Sequence, residues 1–152
     1  MKTPSTVLSE MQSPFSWGAE GHNCLTTIEA LAKEYLDDYK PIYGRWLNLS
    51  EPQSWRVALK EYGSLLETHR QHLLAAGLIE TTPPIQPGDL VVASSKTTMI
   101  DGSKWDGRKG RDLILFVDDG CRFWYWGHSG LEPVAVSEEP SIVFRFKALV
   151  KE

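Results

Sequence analysis

The sequence predicts an α+β domain in which helices come first and an antiparallel sheet follows. Three observations lead there. Apolar residues recur at helical spacing in the first half, the prolines of Pro83-Pro84-Ile-Gln-Pro87 break that pattern, and β-forming runs joined by turn signals fill the remainder.

The elements follow in chain order. Residues 1–14, MKTPSTVLSEMQSP, are rich in Ser, Thr and Pro, and are expected to form a flexible arm that stays mobile or lies on a neighbour. They lack the apolar core of a secretory signal. Between residues 23 and 39, Leu25, Ile28, Leu31, Ala32, Tyr35, Leu36 and Tyr39 share one helical face, while Glu29, Lys33, Glu34, Asp37 and Asp38 take the other. Asn23 fits an N-cap, and Pro41 closes the segment. Ser50-Glu-Pro-Gln53 reads as a capping box with an early proline, opening a helix through Tyr62 that Gly63 breaks. Ser64-Leu-Leu-Glu67 reads as a second box, for a helix that Gly77 ends.

Prolines at the density of 83–87 do not lie inside a helix and favour extended backbone before them. Strands are expected at 89–93, 112–117, 121–126, 133–136 and within 141–150, with Asp119-Gly120 signalling a two-residue hairpin. Residues 94–111 are long for a connection inside one domain. Lys96, Lys104, Arg108, Lys109 and Arg111 surround Trp105 there, so the stretch reads either as a solvated loop or as a partner contact.

Composition narrows the function. At 152 residues the chain is one domain able to bury about two-thirds of its unfolded surface. Its 41% hydrophobic and 24% charged residues are those of a globular protein, and no apolar run approaches the ~20 residues that span a bilayer. A net charge of −4 argues against nucleic acid and anionic membranes as partners. Two cysteines are too few for a disulfide framework and fit a reducing site of synthesis, whereas six Trp point to a demanding core or an interface.

Cys24 falls in the first turn of the predicted opening helix, beside Gly18-Ala-Glu-Gly21. The positive end of a helix lowers a thiol's pKa from its usual value of about 8.5, so Cys24 reads as a candidate nucleophile; it reads equally as a small buried hydrophobe. A nucleophilic thiol needs an imidazole and a polar residue to orient it. His128, in Trp126-Gly-His-Ser-Gly130, follows the third strand and is either that base or a turn residue. His22 is too near Cys24 in sequence to meet it easily. His69 and His72 are spaced for a metal pair but lack a third ligand, so a helix surface is expected for both. Residues 101–112 miss the calcium-loop pattern at Lys104 and Trp105. No metal or cofactor is expected.

Three pieces in order resemble the NlpC-type cell-wall cysteine peptidases. Phe15-Ser-Trp-Gly18 leading to Asn23-Cys24-Leu25 is similar to that family's aromatic-x-Trp-Gly element followed by Asp-Cys. Gln86-Pro-Gly-Asp-Leu-Val-Val92 is similar to its Pro-Gly-Asp-Leu strand. Asp112-Leu-Ile-Leu-Phe-Val-Asp-Asp-Gly120 stands where it has a histidine opening a strand. The resemblance covers residues 15–150 and implies a papain-like domain over 15–152. It implies Cys24 as nucleophile, Asp112 at the position of the catalytic histidine, and His128 near the orienting residue. A carboxylate beside a thiol raises its pKa, so the resemblance points to a vestigial site. Within that superfamily the chain looks most like small members from phage and prophage tail regions. The function this implies is a non-catalytic tail-tip or baseplate-hub subunit of the virion, assembled in the bacterial cytoplasm. Such a subunit would contact other tail proteins through Trp105, the basic loop 96–111 and the N-terminal arm. The alternative is an active cell-wall peptidase or amidase using Cys24.

Overall fold

Thr3 opens the first helix: its hydroxyl accepts from the Thr6 N–H at 3.2 Å, and Pro4 occupies the first helical position, where its missing N–H costs nothing. The structure, a computed structural model, describes residues 1–93, 113–127, 129–135 and 140–150. Helix α1 (Pro4–Glu10) corrects the expectation of a loose arm. Val7 and Leu8 are buried, Ser5 and Asp119 exchange two hydrogen bonds of 3.1 and 3.0 Å, and the Gln12 amide donates to the Leu131 carbonyl at 2.7 Å.

Helix α2 (Cys24–Tyr35) starts at the capping box of Asn23 and Thr26, as its sequence suggests, but ends before Leu36 instead of running to Tyr39. Helix α3 (Glu51–Tyr62) starts at the Ser50–Gln53 box and stops at Gly63, which takes a φ of 86°. Helix α4 (Leu65–Ala75) is capped by the Ser64 hydroxyl. It closes in a Schellman motif: Gly77 (φ 98°) donates to the Leu74 carbonyl and Leu78 to that of Leu73.

Among the described residues six strands follow: β1 (Ile79–Thr81), β2 (Leu90–Ala93), β3 (Leu113–Val117), β4 (Phe123–Gly127), β5 (Gly130–Val134) and β6 (Ile142–Arg145). All pair antiparallel, in the order β1-β6-β2-β3-β4-β5. The mixed α+β architecture read from the sequence is therefore present, with a helical N-terminal region packed on an antiparallel sheet. β6 is shorter than the expected strand, and residues Lys147–Leu149 form a 3-10 turn.

Period-two alternation divides the sheet. Leu90, Val92, Ile114, Phe116 and Phe144 face the helices and join Ile28, Leu31, Leu73 and Trp46 in the main core. Val91, Leu115, Val117 and Val143 form a smaller buried cluster on the other face. The β3–β4 hairpin differs from the two-residue turn that Asp119-Gly120 suggested. The Asp118 N–H donates to the Arg122 carbonyl, and Cys121 takes a φ of 58°, giving a three-residue loop with a left-handed third position.

Candidate functional site

The region around Cys24 is assembled by one side chain. Asn23 is 1% exposed, and its side chain and main-chain N–H are both engaged. Its Oδ1 accepts from the Thr26 N–H at 3.1 Å, its own N–H donates to Thr26 Oγ1 at 3.0 Å, and its Nδ2 donates to the carbonyls of Ser16 (3.1 Å) and Gly18 (3.2 Å). The loop 16–22 is thereby tied to the start of α2. It is cross-braced by the Ser16 N–H on the His22 carbonyl and by the His22 N–H on Ser16 Oγ. Gly21 is required there, because a Cβ would lie 2.3 Å from the Ser16 carbonyl oxygen.

Cys24 is the first residue of α2, half-buried at the positive end of the helix. One turn on, Thr27 Oγ1 accepts from Trp126 Nε1 at 2.8 Å and donates to the Asn23 carbonyl at 2.8 Å, so the end of β4 lies against the first turn of α2. Phe15 adds aromatic contacts to Trp17 and Trp126, each at 6.3 Å between ring centres. His128, Asp112, Trp105 and the basic loop lie outside the described residues, so of the expected catalytic set only Cys24 is placed here.

The other histidines correct the sequence reading. His69 is 4% exposed, not on a helix surface. Its Nδ1 lies 2.7 Å from the hydroxyl of Tyr43, itself 2% exposed. Burial, followed by the neighbouring His72, pushes the His69 pKa down to about 4, so its ring is neutral near pH 7. Burial likewise holds the Tyr43 phenol well above its ordinary value, with Cys24 and then Glu29 adding to the effect. His72 is half-buried and stacks on Tyr43 at 5.2 Å and 20°, with the rings of Trp46 and Tyr62 edge-on to it. Among the described residues, no cluster of His, Cys, Asp and Glu could hold a metal ion.

Glu29, assigned by periodicity to the polar face, is 5% exposed. Its carboxylate accepts from the Ile42 N–H (2.7 and 3.1 Å to the two oxygens), the Tyr43 N–H (3.4 Å) and the Tyr39 hydroxyl (3.1 Å). Its charge is thus met by main-chain dipoles, which fix the loop after α2 against the helix. Asp89, within the Pro-Gly-Asp-Leu piece, is fully buried and held by both Nε and Nη2 of Arg145 at 2.8 Å. That aspartate is a structural anchor between the start of β2 and β6.

Sequence reasoning missed Glu29, Tyr43 and His69 as one network, and the cleft beside His72. The capping of Cys24 was legible; contacts between the 36–43 loop and α4 were not, because they join residues far apart in sequence. Comparison of the chain with known protein families, with curated proteins and with solved structures finds no match.

Proposed function

We propose that this chain is a structural subunit of a phage or phage-like tail tip or baseplate hub, built on a peptidase-like scaffold of NlpC type and acting without that family's chemistry. The observation that carries the reading is Asp112 at the position where the resembling enzymes hold a histidine. A carboxylate there disfavours a neighbouring thiolate, the opposite of what a nucleophile requires. Two other imidazoles are engaged in packing, His69 on Tyr43 and His72 on the Thr68 carbonyl. Trp105, the basic loop and the face of α1 are the surfaces this reading assigns to neighbouring tail proteins. The virion location comes with the resemblance.

A second reading, an active cysteine peptidase or amidase on cell-wall peptides, is favoured by one feature. Cys24 sits at a helix N-terminus, and the Trp126–Thr27 bond brings the strand that leads to His128 against that same turn. A single pair of measurements separates the two. In a Cys121→Ser background, which removes the exposed second thiol, labelling of Cys24 by a thiol reagent is followed against pH. Peptide release from peptidoglycan is compared for the parent and Cys24→Ala. The subunit reading expects slow labelling of Cys24 at neutral pH, faster only in alkaline solution, and no release above background. Fast labelling at neutral pH with Cys24-dependent release overturns it.

A further inference from the structure

A cleft of about 490 Å³ is lined by the loop after α2, by α4 and by Tyr62. That volume lies within the range of sites that hold small ligands or anchoring side chains. Its loop wall is pre-set, because Glu29 holds the Ile42 and Tyr43 N–H groups. The lining residue His72 is held as well, because it stacks on Tyr43 and Tyr43 is tied to His69.

The polar residues that line this space are oriented by bonds to their neighbours. Gln71 Nε2 lies 2.9 Å from the Glu67 carboxylate, which can only accept, so the amide orientation is fixed and Oε1 is left as an acceptor. His72 Nδ1 lies 2.7 Å from the Thr68 carbonyl, which likewise can only accept. A ring proton therefore sits on Nδ1, and in the uncharged form of the ring Nε2 carries the lone pair. Asp38 adds a carboxylate with no ion-pair partner among the described residues. The lining residues thus carry as acceptors the Asp38 carboxylate, Gln71 Oε1 and, in the uncharged ring, His72 Nε2, together with the aromatic ring of Tyr62, and Lys40 is the lysine or arginine among them. A ligand matching this set is rich in donors, positively charged and flat enough to lie on an aromatic face. A guanidinium has all three properties, with five N–H donors in one plane and a preference for stacking on rings.

We propose that this cleft receives an arginine side chain carried by a neighbouring polypeptide. The site stands on the geometry of the cleft; that a neighbouring subunit supplies the arginine rests on the subunit reading, and the chain's net charge of −4 favours a basic partner. Cys24 takes no part in it.

The test is an NMR titration of the full chain, read at the His72 imidazole nitrogens and at the amides of residues 38–42 and 71–76. The probes are N-acetyl-arginine amide, its uncharged near-isostere N-acetyl-citrulline amide, and the lysine analogue. The ligand-free spectrum is expected to show the Nδ1–H tautomer at His72. The arginine probe is expected to saturate at a Kd on the order of millimolar, as suits one side chain, and to bind about tenfold more tightly than the citrulline probe. The lysine probe, with a point charge and no plane to stack, is expected to bind more weakly than arginine. Asp38→Asn should weaken arginine binding about two- to fivefold, and Lys40→Gln should tighten it by a similar factor. An Nε2–H tautomer, equal binding of the citrulline probe, weakening by Lys40→Gln, or no saturable shift would each overturn the proposal. The two readings fail separately. Saturable arginine binding together with Cys24-dependent hydrolysis keeps the cleft and removes the subunit role, whereas no arginine binding and no hydrolysis does the reverse.

Discussion

Among the described residues three carboxylates are withdrawn from solvent, and two of them, Asp89 at the start of the sheet and Glu29 in the helical half, are satisfied by quite different means. Asp89 meets a guanidinium with two parallel hydrogen bonds, so its charge is neutralised by a strand that pairs beside it. Glu29 meets two main-chain N–H groups and a phenol, so its charge is balanced by dipoles that belong to a loop. The first arrangement locks strand to strand. The second decides where a loop sits, and with it the wall of the His72 cleft. Asp118 is intermediate: its burial alone would raise the pKa, but donation from Trp124 and from the Arg122 and Gly120 N–H groups lowers it on balance.

The contrast breaks most visibly at Arg145. Arg145→Leu leaves Asp89 buried with only the Gln86 N–H as a described donor, and is expected to cost about 3–5 kcal/mol. Urea unfolding measures it, and a loss no larger than that of an average core substitution would show that water reaches Asp89. Glu29→Gln keeps the size but turns an NH₂ group toward one of the N–H donors; about 1–3 kcal/mol is expected. That loss should be local, with faster amide exchange at Ile42 and Tyr43 and little change in β2.

The smallest effect is on pH. The folded-state pKa of His69 is depressed to about 4, below the 6.5 of an exposed imidazole. The unfolded chain therefore binds the extra proton first as pH falls, and stability is full above about 6.5 and declines toward about 4. Between pH 7 and pH 6 the loss attributable to His69 is expected to be under about 1 kcal/mol. His69→Gln should flatten that part of a stability–pH curve, while Asp118 acts only at lower pH, through a carboxylate held below 3.8.

What the sequence made legible is local. Asn23, Ser50, Gly63 and Gly77 could be assigned because a cap acts within a few residues of itself. The strands β2, β3, β4 and β6 were legible as runs of β-formers, though β4 starts at Phe123 and β6 stops at Arg145, whereas β5 runs from Gly130 to Val134 where a strand was expected at 133–136. β1 was not, since Ile79-Glu-Thr81 is too short to show a period and takes its place from pairing with β6. Thr3-Pro4 carried a helix-start signal hidden by a composition that reads as disorder. The Asp119-Gly120 turn was misjudged because Asp118 Oδ1 takes the N–H groups of Gly120 and Arg122, which favours the longer loop. Around the candidate site, Cys24 at a helix start was visible. Glu29 and His69 were not, because their burial depends on the 39–43 loop folding back across α2 and α4.

The placement of β6 has a temporal consequence. It lies between β1 and β2, yet β3, β4 and β5 all precede it along the chain. During synthesis, β1 and that flank of β2 remain open edges, and Asp89 lacks its guanidinium, until β6 leaves the ribosome. Closure of the sheet is therefore a late event, and a nascent chain interrupted before residue 145 would expose the edges that the finished molecule hides.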